Sequence, residues 1–596
     1  MPNAVDTARQ RNLAEMFFAV AGSMGARPFA WAKKDGTWMP LSWAAAAAEA
    51  RSLALGLKAL GIGDGDRVGL VSENRPEWGV ADVAIVAAGG VVVPAYVTNT
   101  VADHRHILND SGARAVIVSN ARLAEPLFAA VAECPAVEAA IAIEPGVAAP
   151  PGFKPRLLQW AEALALGRSG DPGALNRRNR ADTACLIYTS GTGGVPKGVM
   201  LSHGAILHNA RGATEVLKGL GLDDEVFLSF LPLSHSYEHT AGLYFPISIG
   251  AQIYYAEGAD KLAANLVEAR PTIMTAVPRL YETMHQRITA GVARAGGLKA
   301  KLFHKAVALG RKKYDAPGTL SLGEKLLDRL LDKLVRDKVR ARFGGRLKAL
   351  VSGGAPLNPE IGLFFHSLGM CILQGYGLTE SGPVASVNVP ARIKMHTVGP
   401  PIPDVRIRIA EDGEILIAGE NVMQGYWNQP EYSAQVLRDG WLYSGDIGVI
   451  DRDGYLQITD RKKDIIVNSG GDNVAPQRIE GFLTMRPEIG QAMVAGDKRP
   501  YLVAVLVPRQ EFIEQFAATH GKKPLLSALA GDADLHKALA AAVAEVNAGL
   551  SVIEHVRRFV VAGEAFGIAN GMMTPTMKVR RHVVRQHYGQ ALEGLY

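Results

Sequence analysis

The sequence predicts a large α/β domain with parallel-rich sheets flanked by helices, a small antiparallel β region at its end, and a small α+β domain after it. Three observations carry this reading. Strand and helix patterns alternate through the first part of the chain, as parallel sheets covered by helices require. From about residue 400 the apolar runs shorten and alternate around Asp-Gly turns, Asp412-Gly413 and Asp453-Gly454. A charged segment, Asp460-Arg461-Lys462-Lys463-Asp464, then precedes a new apolar run. With 596 residues the chain exceeds what one core holds, and the charged segment divides it into 1–460 and 461–596.

The elements follow in order. Residues 43–60 (WAAAAAEARSLALGLKAL) form a helix stopped by Gly61, and 67–71 and 113–118 are strands. The longest uncharged run, Val83 to Ala102, contains Gly89-Gly90 and Pro94 and therefore reads as helix, turn and buried strand, not a membrane span. Residues 298–342 read as an amphipathic helix, with Leu326, Leu330 and Leu334 in one row and Leu327, Leu331, Val335 and Val339 in another. That helix packs on its own domain or touches a membrane surface. Residues 405–409, 414–418 and 455–458 are antiparallel strands; 501–507 is a strand and 535–548 a helix of the last domain.

Composition narrows the setting. Three cysteines (Cys134, Cys185, Cys371) are too few and too scattered for a disulfide framework or a zinc site, which suits a reducing cytoplasm. No secretory leader is expected, since the apolar stretch 13–20 is short and broken by Glu15. The net charge of +6 suits anionic substrates, a peripheral contact with an anionic membrane, or an ordinary solvated surface. No basic cluster interleaved with aromatics points to nucleic acid.

The sharpest local signal is 188–198, YTSGTGGVPKG. An apolar strand runs into Thr189, Ser190, Gly191, Thr192 and Gly193, with Lys197 beyond. Glycines let backbone N–H groups close around phosphate oxygens, hydroxyls add donors, and the lysine adds a cation. A structural hairpin is the plain alternative. The spacing is not a Walker A loop, because Gly198 follows the lysine where Ser or Thr is needed. Nor is it G-x-G-x-x-G, because Pro196 stands at the third glycine.

The segment resembles the phosphate loop of the adenylate-forming superfamily, which includes acyl-CoA synthetases, firefly luciferase and peptide-synthetase adenylation domains; Gly193 replaces the usual second threonine. Further motifs of that superfamily follow in order. Residues 352–357 (SGGAPL) leave a strand and enter a helix capped by Asn358, and 374–381 (QGYGLTES) leave the next apolar segment. The resemblance implies that Gly353, Gly354, Ala355 and Tyr376 hold adenine, that Thr379 contacts phosphate, and that Glu380 binds magnesium. In YSGD (443–446), Asp446 is implied to accept the ribose hydroxyls, with Ile458 beside the ribose and Arg461 on ribose or phosphate. Lys463 corresponds to the hinge on which the last domain moves, and Lys578 in TPTMKVR to the catalytic lysine.

The implied reaction joins a carboxylic acid to AMP with release of pyrophosphate, then passes the acyl group to coenzyme A. Gly470 and Gly471 in SGGD are implied to face the coenzyme A tunnel. His235, in LSFLPLSHSYEH (228–239), is implied as gate or carboxylate neighbour of the acyl site. Glu238 and His239 beside it leave room for a polar or bulky acid. The helical segment 298–342 and the wording of 463–480 are most similar to long-chain fatty acyl-CoA synthetases. Three alternatives stay open: a fatty acyl-AMP ligase loading a carrier protein, a non-catalytic nucleotide-binding member, and a luciferase-like oxygenase. Against the first, no insertion is visible between Asp446 and Arg461; against the second stand Lys578, Glu380 and Asp446.

Overall fold

The structure, a computed structural model, describes residues 5–189, 195–470, 472–574 and 578–596. Two compact units emerge from its internal contacts. The first comprises 1–408, 416–444 and 450–457; the second comprises 409–415, 445–449 and 458–596. The second unit therefore takes up two short earlier segments besides the C-terminal run.

The first unit holds two eight-stranded sheets. One runs in the order Val384–Val387, Ile372–Gly377, Ala349–Ser352, Ile273–Ala276, Val226–Ser229, Gln252–Tyr255, Pro28–Lys34, Thr37–Ser42. Its six central strands are parallel and only the two outermost pairings are antiparallel. The other runs Gly425–Tyr426, Lys197–Ser202, Thr183–Thr189, Val91–Ala95, Arg67–Val71, Ala115–Val118, Ala139–Ala142, Arg156–Gln159. Parallel pairing prevails here too, and the antiparallel exceptions are the first two pairings. Strands such as Ala115–Val118 are buried on both faces, so they read as unbroken apolar runs and not as alternation.

Local sequence explains most boundaries. Ser42 caps Trp43–Ala59 by accepting from Ala45 N, and Asn358 caps Pro359–Ser367 by accepting from Glu360 N. The uncharged run 83–102 divides as expected: helix Pro76–Ala87, a turn with Gly89 at φ 91°, and the buried strand Val91–Ala95. The single amphipathic helix expected over 298–342 is corrected. Helix Gly297–Asp315 stops before Pro317-Gly318, where Gly318 takes φ 85°, and helix Leu322–Leu331 restarts from a Ser321–Glu324 capping box. A π turn, Asp332–Arg336, then leads into Asp337–Arg342. Leu331, Val335 and Val339 pack with Phe303, Leu309 and Phe365 in the core.

The second unit is α+β. Ile489–Ala495 pairs antiparallel with Leu502–Pro508, which pairs parallel with Val556–Val561. Helices Pro476–Met485, Gln510–His520 and Ala533–Asn547 bury Ile479, Leu483, Ile513, Phe516, Leu535 and Leu539 in one cluster of this unit; helix Arg581–Glu593 belongs to another, with Val584 and Leu592. No helix among the described residues is long and apolar enough to cross a membrane.

Candidate active site

In the first unit the glycine-rich segment joins two strands of one hairpin, with Thr189 directly opposite Lys197. Ser190, Gly191, Thr192 and Gly193 lie outside the described residues. The strand Gly425–Tyr426 adds to the other edge of the same hairpin, pairing Tyr426 with Val199. That placement sets the Lys197 ammonium over the rings of Tyr426 and Tyr432, a cation–π arrangement.

Tyr426 also reaches the expected metal ligand: its hydroxyl donates to Glu380 Oε1 at 2.8 Å. Burial, and the Glu380 carboxylate beside it, hold the Tyr426 phenol well above the usual tyrosine range, so it remains a donor. Glu380 sits in the short turn Thr379–Ser381 beyond the strand Ile372–Gly377, which carries the buried Tyr376. Its carbonyl accepts from Met423 N at 2.9 Å, which pins the turn. Thr379 is buried, with its Oγ1 3.0 Å from Ser236 Oγ.

The adjacent loop is built on Tyr237. The Tyr237 hydroxyl donates to Val351 O at 2.8 Å, and a Cβ placed on Gly353 would lie 3.0 Å from Tyr237 Cζ. A side chain at 353 would therefore press on that ring, which would have to give by a few tenths of an ångström. Gly353 N donates to Ala276 O at 3.1 Å, and Gly354 takes φ 80°, a conformation that favours glycine. Ala355 is exposed at the mouth of the loop. One chain of contacts thus joins Lys197, Tyr426, Glu380, Thr379, Ser236, Tyr237 and Gly353.

His235 is half-buried and opens the helical segment that follows: its Nδ1 accepts from Tyr237 N at 3.2 Å. Glu238 and His239 are buried and engaged internally. Glu238 accepts from Ser229 Oγ and Thr275 Oγ1, each at 2.6 Å, and His239 Nε2 lies 2.7 Å from Asp82 Oδ2. Burial raises the Glu238 carboxyl to about 7 despite both hydroxyl donors. These bonds are the structural reason a carboxylate and an imidazole can stand buried in this segment.

The second unit carries the other expected residues. Asp446 is buried, with one oxygen accepting from Arg461 Nε at 3.0 Å. The neighbouring Lys462 pairs with Asp412 at 2.6 Å and Glu414 at 2.9 Å, and its N–H donates to Gly445 O. Ile458 and Arg461 share the strand Leu456–Arg461, and Lys463 follows it. Burial raises the Asp460 carboxyl to about 7. Gly470 N donates to Asn468 Oδ1 at 2.9 Å within a tight turn, and Gly471 lies outside the described residues. Lys578 is exposed; its N–H donates to Thr574 Oγ1 at 3.0 Å and its carbonyl accepts from Thr574 N at 2.8 Å.

Residues 19–427 match the family described as AMP-binding enzyme, and 463–596 match the AMP-binding enzyme C-terminal domain. The chain belongs to the AMP-binding enzyme family. Among curated members it is 35% identical to a long-chain-fatty-acid–CoA ligase of Mycobacterium bovis, over 94% of this chain and 93% of that one. It is 30% identical to a peroxisomal long chain acyl-CoA synthetase of Arabidopsis thaliana, over 95% of this chain and 83% of that one. The adenylation domain of a carboxylate reductase from Mycobacterium chelonae shares the fold, with a TM-score of 0.78, 24% identity, and 100% and 94% of the two chains covered.

Ser236, Tyr237 and Tyr426 were not singled out by sequence reasoning. The first two stand within the quoted LSFLPLSHSYEH, where hydroxyls next to His235 were the available signal. Tyr426 follows Glu380 by 46 positions, and nothing local to either residue announces their contact.

Proposed function

We propose that this AMP-binding enzyme activates a long-chain fatty acid with ATP and transfers it to coenzyme A, releasing AMP and pyrophosphate. The observation that carries the proposal is the chain of contacts from Lys197 to Gly353, which gathers a cation, a carboxylate, a buried threonine and a glycine cradle from segments far apart in sequence. Lys578, which nucleotide binding alone would not require, weighs against a non-catalytic member. The names of curated relatives support the long-chain acid.

In the first half-reaction a carboxylate oxygen of the acid attacks the α-phosphorus of ATP. A P–O bond forms, the bond to pyrophosphate breaks, and acyl-AMP results. Lys197 and the glycine-rich segment hold the phosphates, while Gly353, Gly354, Ala355 and Tyr376 take the adenine. Asp446, steadied by Arg461, accepts from the ribose hydroxyls, with Ile458 beside them. The Thr379 hydroxyl contacts phosphate, and Glu380 would hold magnesium, a hard cation suited to a carboxylate, which would supply neutralisation of the phosphate charge. Lys578 neutralises the oxygens that gain charge as the P–O bond breaks. In the second half-reaction the coenzyme A thiolate attacks the acyl carbon and the C–O bond to AMP breaks. We assign the functional boundary to 460/461, the hinge to Lys463, and the approach of coenzyme A to Gly470 and Gly471. His235 borders the acyl site, and peripheral membrane contact belongs to the same reading.

The test is one assay: purified protein with ATP, magnesium, coenzyme A and acids from acetate to oleate, following AMP, pyrophosphate and thioester together. Thioester formation strongest with long-chain acids is expected. Acyl-AMP without thioester would replace the reading with an acyl-AMP ligase, and no turnover with any acid would refute catalysis.

A further inference from the structure

Helix Leu322–Leu331 and its continuation through Arg342 carry two rows of apolar residues, and only one of them is used by the fold. Leu331, Val335 and Val339 fasten the segment to the core. On the opposite side Leu322, Leu326, Leu330 and Leu334 are 85%, 71%, 52% and 44% exposed, one per turn. Among the described residues, the other exposed large aliphatics stand singly or as adjacent pairs. Four leucines in one stripe make the contiguous apolar surface that marks an interaction site on a water-soluble fold.

The charges on this segment are sorted. Between the leucines lie Lys325, Arg329 and Lys333, all exposed and none in an ion pair among the described residues. The acids of the same helix face away. Glu324 pairs with Lys312 at 2.8 Å, Asp328 with Arg336 at 2.7 Å and Lys313 at 3.0 Å, and Asp332 with Arg340 at 2.7 Å. The exposed face from 322 to 334 therefore carries leucines and unpaired bases, while its acids, Asp332 at the edge included, are held in ion pairs. Such a face repels a second copy of itself, because symmetric docking would bring bases against bases. A surface that is apolar beneath and anionic above complements it: leucines enter the acyl boundary while lysine and arginine stems reach up to headgroup phosphates.

We propose that the face formed by Leu322, Lys325, Leu326, Arg329, Leu330 and Lys333, extended by Leu334, docks the protein on an anionic lipid bilayer. The segment lies in the interface plane and does not cross the membrane, in keeping with its short length and sorted charge. If the proposed substrate is correct, docking places the enzyme where long-chain acids are dissolved. The binding itself does not depend on that substrate.

The experiment is co-sedimentation of the full chain with vesicles of phosphatidylcholine, with and without phosphatidylglycerol, at low and high salt. Wild type is expected to bind the anionic vesicles and to release at high salt, since each base near the surface is worth about fivefold in partition. Lys325→Glu with Arg329→Glu should lower that partition about twentyfold or more, and Leu326→Ser with Leu330→Ser about tenfold or more. Both double variants should keep the wild-type circular dichroism spectrum and thioester formation with a dissolved medium-chain acid. Absence of wild-type binding to anionic vesicles, or wild-type binding by both variants, overturns the proposal. So does a dimer that Leu326→Ser with Leu330→Ser dissociates while vesicle binding is unchanged. Vesicle binding without turnover on any acid would refute the proposed activity and leave the docking face standing.

Discussion

Glu238 offers the most direct quantitative test of the site's architecture. Its side chain is fully buried between the strands Val226–Ser229 and Ile273–Ala276, with Ser229 and Thr275 each donating at 2.6 Å. Tyr237 and Tyr255 are the titratable neighbours, and burial holds both phenols protonated. Two hydroxyl donors favour the carboxylate, yet loss of water outweighs them and the carboxyl titrates at about 7 instead of 4.5. The folded state thus holds this proton more tightly than the unfolded state does. The resulting destabilisation is absent below the unfolded value, grows as pH rises, and is complete above about 7. At about 1.4 kcal/mol per pH unit, the interval from 4.5 to about 7 amounts to on the order of 3 kcal/mol.

Glu238→Gln removes the titration and keeps the shape. Its amide NH2 must donate to Ser229 Oγ or Thr275 Oγ1, and that hydroxyl then turns away and loses its own acceptor, so the variant loses about 1 kcal/mol at every pH. The variant should be slightly less stable than wild type near pH 5 and more stable above pH 7.5, the difference growing by about 2–3 kcal/mol across that range. For a unit of this size that is a few degrees in melting temperature, roughly 1 °C per kcal/mol. Thermal unfolding of both proteins through a pH series measures it, and groups common to the two cancel in the difference. A difference that stays constant between about pH 5 and about pH 8.5 would refute a titrating Glu238.

Three other outcomes follow from the site. Tyr426→Phe deletes the 2.8 Å donor to Glu380 and should raise the magnesium concentration needed for half-maximal ATP–pyrophosphate exchange about five- to tenfold, without changing the acid preference; an unchanged magnesium titration would deny Tyr426 that role. Asp446→Ala removes charge-assisted acceptors from the ribose and leaves Arg461 without this partner, so KM for ATP should rise about ten- to a hundredfold with KM for coenzyme A unaffected, as initial rates would show. Lys578→Ala should abolish adenylation while sparing thioester formation from supplied acyl-AMP, and equal loss in both half-reactions would remove Lys578 from the first.

Much of the fold was legible because its signals are local. The Gly89-Gly90 turn, the Asn358 cap and the apolar strands around 67–71 and 115–118 each declare themselves within a few residues. The helix expected over 298–342 was misjudged where two local rules competed, periodicity running through Pro317-Gly318 and the break those residues impose. Periodicity could not tell which of its two leucine rows would be buried, since both repeat every four residues.

The sequence by itself determined the order and chemistry of the motifs: the hydroxyl- and glycine-rich turn with Lys197, the loops at Gly353 and Glu380, and the lysine at 578. Only the tertiary structure decided what supports them. Tyr426 meets Glu380 because the strand Gly425–Tyr426 adds to the hairpin edge beside Lys197, and Ser236 meets Thr379 across 143 positions of chain. Glu238 and His239 became internal hydrogen-bonding groups because Ser229, Thr275 and Asp82 converge on them from three separate elements. Pairing and burial of this kind depend on sheet order and packing, which bring distant segments within 3 Å and leave no trace in the spacing along the chain.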